Sequence, residues 1–344
     1  MQYELRQQVI EPSRPTFTHL IDRYGARPAT RYEEGSVGIQ PTENFHYRPL
    51  WDPAHELYDE TYTALRLTDP YSFTDPRQYY YTPYVSNRAA LHEAFGKTLD
   101  YVADRHLLDK MPQDWRRVVA EVLLPLRYYE SGAQLLLVNG GRFAYGTTIE
   151  QCLSYAAFDR IGNAQLISRI GIAFGGNTDS ALATTKSAWM EADYLQGLRR
   201  LIEELLVEPD WAAAMMAVDL TDQLLYPLLT RRLDEAALLS GAGAYSLLTQ
   251  YLATWFADNR KWADALTGAW LADQTHGAAN REALRRITAR YLPQAVGAVT
   301  TLAGGIDDRT AGAEAADAVA AIAAELTQKL AAAGLTDDPA PRTE

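Results

Sequence analysis

The chain is poor in cysteine. A single Cys152 among 344 residues allows no internal disulfide and points to a reducing compartment. Cationic side chains are also scarce: 32 Lys and Arg against 44 Asp and Glu leave a net charge of -12. Nucleic acid or an anionic membrane surface would call for the opposite balance, so neither is expected as a partner. No run approaches the roughly 20 apolar residues of a membrane span. The opening MQYELRQQVIEPSR lacks the apolar core of a secretory signal. The expectation is a cytoplasmic protein. Glycine fingerprints are missing too. GGRFAYG, FGGNTDS and SGAGAYS contain neither GxGxxG nor a phosphate-loop lysine, and no GxSxG elbow occurs.

What is present suits an all-α fold. Hydrophobic residues make up 47% of the chain, ample for a large core. Trp115, Val118, Val119, Val122, Leu126, Tyr129 and Ala133 recur at the three-four spacing of a buried helical face. Tyr245, Leu248, Leu252, Trp255, Asn259, Trp262 and Leu266 repeat the pattern. Thr178 or Asp179 is placed to cap a helix after the Gly175-Gly176 break, and Asp210 to start another at Trp211. No alternating strand pattern competes. A helical bundle over 85–302 follows, with an Ala-rich helix ending at Gly334 and a short tail in 303–344. Residues 1–84 differ from the rest. They hold nine of the 16 prolines and 11 of the 21 tyrosines, without sustained periodicity. Aromatics gain too much from burial to suit a disordered tail, so this part reads as an extended arm lying over a surface, its own or a partner's. YYYTPY, residues 79–84, reads as a contact patch in it.

Several residues imitate chemistry. Glu43 with His46, and Asp52 with His55, share the i, i+3 spacing by which helices present metal ligands. Pro41, Pro49 and Pro53 disfavour helical geometry there, so the spacing loses its meaning. Asp273 with His276 reads as a cap or a surface pair, and His92 and His106 lack a carboxylate three residues earlier. Cys152 reads as a small buried residue before a nucleophile. Charges on buried faces are more informative. Arg127 and Glu130 are placed to pair beside an apolar helix face, and Asp159 and Arg160 interrupt another. Unpaired buried charges are costly, so these imply partners. An acid/base set and a structural ion network both fit; with no poised histidine nearby, the network is the stronger reading.

The stretches ENFHYRPLWDPAHEL, TDPRQYYYTPYV, PLRYYE, FDRIGNAQLISRIG, WMEADYLQGLRR and DWAAAMMAVDL resemble one family. It is the β subunit of the hydroxylase in bacterial multicomponent diiron monooxygenases, in the phenol hydroxylase branch. The resemblance implies a ferritin-like bundle and an αβγ protomer that pairs with a second protomer. It places a diiron centre in the α subunit, FAD and 2Fe-2S in a reductase, and adds a small regulatory protein. It implies no cofactor, catalytic residue or metal ligand in this chain. The family's ligand slots would fall at or beside Arg127, on Arg160 and Asn163, near Gln223 with Asp222 adjacent, and on Asn259 and Trp262. An arginine cannot deprotonate to bind iron. The arm would contact other subunits through Phe45, His46, Tyr47, Leu50, Trp51, His55, Tyr79, Tyr80 and Tyr81. The function implied is a non-catalytic scaffold for conversion of phenol to catechol with O2 and NADH. A toluene or alkene monooxygenase subunit and a stand-alone diiron protein are the alternatives.

Overall fold

The computed structural model describes residues 14–40, 50 and 53–336. Among them there is no strand. Two short helices, α1 (Thr18–Tyr24) and α2 (Arg31–Ser36), precede α3 (Tyr81–Asp104), α4 (Gln113–Val118), α5 (Arg127–Phe143) and α6 (Thr147–Phe174). Then come α7 (Ser180–Ala183), α8 (Thr185–Glu191), α9 (Asp193–Leu205), α10 (Trp211–Pro227) and α11 (Leu233–Leu239). The last are α12 (Gly243–Ala272), α13 (Gly277–Asp307) and α14 (Ala315–Ala332). No helix among the described residues is long and apolar enough to cross a membrane.

The centre is a ferritin-like bundle of α5, α6, α10 and α12. α3 lies against α6 and α12, while α9, α13 and α14 cover the opposite side. Both seven-residue faces read from the sequence are buried, with Trp115, Trp255 and Tyr129 among the largest enclosed side chains. Two prolines reshape the helices they sit in. Pro125 has no N–H for the turn before it, and a widened π-type turn over Val119–Leu123 joins α4 to α5. Pro227 ends α10 the same way, with a wide turn over Leu228–Arg232 leading into α11.

Caps set the boundaries. The Asp210 side chain accepts from the N–H groups of Ala212 and Ala213 at 2.9 and 3.1 Å, starting α10 at Trp211 as expected. Thr178 rather than Asp179 acts after the glycine break, accepting from Ser180 N at 3.3 Å, but the helix it opens is only four residues long. The Ala-rich helix starts at Ala315, where Asp307 accepts from Ala315 N and Ala316 N at 2.7 and 2.9 Å. Gly334, at φ 71, closes it with Leu335 N bonded back to Leu330 O at 2.8 Å. The expected divisions at 84/85 and 302/303 fall inside α3 and α13, and one apolar core runs from Tyr62 to Leu335.

The described part of the arm, expected to be extended, holds the two short helices α1 and α2 as well as irregular chain, and a stretch of it is fastened to the bundle. Asp210 Oδ2 accepts from Ala64 N at 2.8 Å. Buried Asn280 accepts from Arg66 N at 2.9 Å and donates to Arg66 O at 2.7 Å, mimicking a paired strand. Asp273 accepts from Thr68 N and Thr68 Oγ1 at 2.7 and 2.8 Å. Leu65 and Leu67 enter the core between these ties, and Phe73 enters it just beyond them.

Candidate functional site

The four central helices bring charged and polar groups to the middle of an apolar bundle. Arg160 of α6 stands at the centre, with only 2% of its side chain exposed. Its Nη1 donates to Glu130 of α5, 3.2 Å from Oε1 and 3.3 Å from Oε2. Its Nη2 donates to Asp222 of α10. One cation therefore faces two carboxylates, and three neutral donors complete their shells. Tyr129 O–H donates to Asp222 Oδ1 at 2.7 Å, Tyr226 O–H donates to Glu130 Oε1, and Asn163 Nδ2 donates to Glu130 Oε2 at 3.2 Å. The Trp255 ring of α12 lies 4.8 Å from the guanidinium carbon, adding a cation–π contact.

Burial alone would lower the Arg160 guanidinium; Asp222 and then Glu130 more than reverse this and hold it well above its usual value. Burial, then the neighbouring carboxylate, likewise pushes the Tyr129 and Tyr226 phenols far up, so both keep their protons. None of these described side chains is a histidine, the usual proton carrier near neutrality. Space is short as well. The cavity beside Arg160, Asp222, Asn259 and Trp262 measures about 20 Å³. That is room for one water, against ~300–1,000 Å³ for typical ligand sites.

The slots drawn from the family meet this centre unevenly. Arg160, Asn163, Asn259 and Trp262 are buried where expected, with Trp262 Nε1 donating to Asn259 Oδ1 at 2.7 Å. Arg127 is a correction: it is half-buried, its guanidinium 5.4 Å from the Tyr128 ring, and Glu130 one turn later supplies the central side chain. The expected Arg127–Glu130 pair is replaced by Arg160–Glu130. Gln223 is the second correction. It bonds Asp219 and Lys329 toward the surface, and its neighbour Asp222 points inward. Among the described residues no three His, Cys, Asp or Glu side chains are grouped to hold a metal ion. The donor set does not fit an iron pair, because a guanidinium carrying permanent charge sits between Glu130 and Asp222 and would repel a metal cation.

Asp159, next to Arg160, faces a second buried network. Arg88 of α3 grips Asp159 with two 2.7 Å bonds and reaches Asp258 of α12 at 2.8 Å, and Tyr84 O–H donates to Asp159 Oδ1 at 2.8 Å. Arg77 of the arm pairs with Asp75 at 2.9 Å and lies 3.6 Å from Asp258. Cys152 donates its S–H to Asp75 Oδ2 at 3.4 Å. Burial, then the Asp75 charge, pushes this thiol well above its ordinary value, which suits a packed residue and opposes a nucleophile. The sequence reading missed Arg77, Arg88 and Asp258. The available signal was Arg88 one turn after Tyr84 on an otherwise uncharged helix start.

The arm residues divide. Phe45, His46, Tyr47 and Trp51, with Glu43 and Asp52, lie outside the described residues. Leu50 is 99% exposed and Tyr81 70% exposed. His55 packs against Tyr62, ring centroids 4.3 Å apart. Tyr79 departs from the expected contact patch: it is buried, with the guanidinium carbons of Arg77 and Arg88 at 4.7 and 5.5 Å from its ring. Tyr80 is half-buried against Gly35. Asp273 is a local cap, accepting from Thr275 N and His276 N, besides its tie to Thr68. His92 is half-buried and held below its usual value by burial and then Arg169; His106 is exposed.

Comparison with known proteins bears on this centre. A family model described as methane/phenol/alkene hydroxylase matches residues 51–274. The phenol 2-monooxygenase oxygenase component DmpL of Pseudomonas sp. (strain CF600) is 36% identical over 331 residues, covering 96% of this chain and 98% of its own. The methane monooxygenase component A beta chain of Methylosinus trichosporium is 27% identical over 305 residues, covering 81% and 75%. The solved structure of phenol hydroxylase from Pseudomonas sp. OX1 contains a chain with a TM-score of 0.87 and 33% identity, covering 96% and 98%. With the same bundle, nearly end-to-end alignment and a match through all four central helices, this chain belongs to the methane/phenol/alkene hydroxylase family.

Proposed function

We propose that this chain is the β-type, non-catalytic subunit of a multicomponent monooxygenase hydroxylase, and that it holds no iron. The observation that carries this reading is Arg160 between Glu130 and Asp222. A sister chain with carboxylates and histidines at these bundle positions would supply the oxygen-activating metal chemistry; here the same positions carry a closed ion network. The relative named as a beta chain supports the subunit type, and the relative named as a phenol 2-monooxygenase oxygenase component supports phenol as substrate; catechol is the product we propose with it.

In this reading the chain's own residues do mechanical work. The Arg160 network pins α5, α6 and α10 together, and the Arg88 network ties α3, α6 and α12 to the arm. The bundle thus presents a fixed surface to an iron-bearing α subunit and a γ subunit, in a protomer that pairs with another. NADH electrons would arrive through a separate reductase carrying FAD and 2Fe-2S, with a regulatory protein assisting. Metal analysis of the purified chain tests the central point. The expected result is a trace of iron, well under one atom per chain; about two irons per chain, lost on changing Glu130 and Asp222, would overturn it.

A further inference from the structure

The small cavity at the bundle centre is polar on part of its wall. Ala156, Met215 and Val218 give it apolar sides, while Arg160, Asp222 and Asn259 bring polar groups to it from α6, α10 and α12. Asp219 also borders it and pairs with Arg260, which lines a separate outer groove together with Lys329. That ion pair stands between the cavity and the surface.

The hydrogen bonds around the cavity are incomplete in a complementary way. Both terminal nitrogens of Arg160 are bonded, to Glu130 and to Asp222, but its Nε is buried with no acceptor among the protein atoms. A buried N–H without an acceptor is unfavourable, and more so on a charged group. Among the described residues the Asn259 amide uses only its Oδ1, which accepts from Trp262 Nε1 at 2.7 Å, so its Nδ2 donors are free. Asp222 takes one bond on each carboxylate oxygen, from Tyr129 and from Arg160. A carboxylate has about four acceptor sites, so acceptor capacity remains. The centre therefore offers surplus donors on Arg160 and Asn259 and a surplus acceptor on Asp222.

We infer that this cavity is a binding site for one water molecule, which accepts from Arg160 Nε and Asn259 Nδ2 and donates to Asp222. The space fits: about 20 Å³ is available, and a buried water needs roughly 10–15 Å³ and two to four polar partners. An organic ligand is too large for it, and a metal cation would meet the Arg160 charge. The water has a structural consequence. Among the described residues Arg160 makes no direct hydrogen bond to α12, which it meets at the Trp255 ring. Through Asn259 the water extends the network to α12, so that all four central helices share one set of hydrogen bonds. This holds whichever subunit type the chain is.

The test uses the full chain in high-resolution crystals, with data also collected at the iron absorption edge. The expected result is a single peak, without iron signal, at about 2.7–3.2 Å from Arg160 Nε, the Asn259 amide and an Asp222 oxygen. A cavity without a peak would overturn the water site and leave the iron-free reading standing. A peak with iron signal would overturn both. In solution, magnetic relaxation dispersion counts the waters held for long times inside the protein. Val218→Ile adds a methylene to the cavity wall without touching the ion network, and the count should fall by one. An unchanged count in the folded variant would also overturn the site; if the variant does not fold, the parent crystal decides alone.

Discussion

Arg160 Nη1 lies 3.2 Å from Glu130 Oε1, and each side chain is 2% exposed. Thirty residues apart in sequence, the two meet because α5 and α6 pack antiparallel in the bundle centre. Asp222 joins them from α10, so one guanidinium offsets two buried carboxylates. Removing it leaves both without a cation. Arg160→Leu should cost about 3–5 kcal/mol, the usual penalty for breaking a buried pair. The combined change Arg160→Met, Glu130→Gln, Asp222→Asn should recover most of that loss. Denaturant unfolding reads both, and a loss under 1 kcal/mol for the single variant would contradict the role given to Arg160.

The same variant has a predictable response to pH. Burial raises the Asp222 carboxyl even beside Arg160, and without the cation it rises further. A folded-state value above the unfolded one gives stability that is present at low pH and lost as pH rises. Arg160→Leu should therefore become more stable between pH 7 and pH 5, narrowing its gap to the parent. Parallel unfolding curves for the two proteins across that range would count against the buried-carboxylate account.

The sequence made some of this centre visible, and the physical reasons for the rest are specific. The family resemblance puts two slots on Arg160 and Asn163, and α6 carries this i, i+3 pair on one buried face without a break. The resemblance puts a slot at or beside Arg127, whereas Glu130, three residues on, supplies the side chain that faces the centre. The resemblance puts the third slot near Gln223 with Asp222 adjacent, and because almost all of α10 is buried its sequence offers no apolar–polar contrast to fix the register. Tyr79 lies before the start of α3, where no helical period tells which way a ring faces, and it is buried against Arg77 and Arg88. The bundle itself was legible throughout, since its long faces repeat cleanly.

Asp273 ties the arm to the bundle and responds to acid. Burial opposes the shift, but hydrogen bonds from Thr68, His276 and Thr275 pull its carboxyl down to about 2. A depressed value contributes stability above the unfolded ~3.9 that fades as pH falls toward 2. Asp273→Ala should cost about 1 kcal/mol, as for a lost cap. Asn280→Ala should cost more, about 2–3 kcal/mol, because it strands the partners of three hydrogen bonds, two at half-buried Arg66 and one at buried Trp270. Limited proteolysis near Arg66 should accelerate in both, and faster in the second; equal resistance to cleavage in parent and variants would rule out the fastening.

Cys152 should be inert until the protein opens. Its sulfur is 1% exposed by residue, bonded to Asp75, and held protonated by burial. A thiol-reactive disulfide reagent at pH 8 should label it at the rate of unfolding, independent of reagent concentration. Labelling that scales with reagent in the native protein would show a reachable thiolate instead.

Two glycines in helices should respond oppositely to alanine. Gly197 of α9 faces α13, and an added Cβ would lie 2.8 Å from the Ala298 Cα, a backbone atom that cannot swing aside. The helices would have to separate, so Gly197→Ala should destabilise by about 1–3 kcal/mol despite the better helix propensity of alanine. Gly268 of α12 has nothing within 4 Å of its would-be Cβ. Gly268→Ala should stabilise by about 0.5–1 kcal/mol by removing glycine's entropy from an exposed helical site. Thermal unfolding of the two variants decides it. The same sign for both would mean that α9 and α13 do not approach as closely as Gly197 and Ala298 indicate.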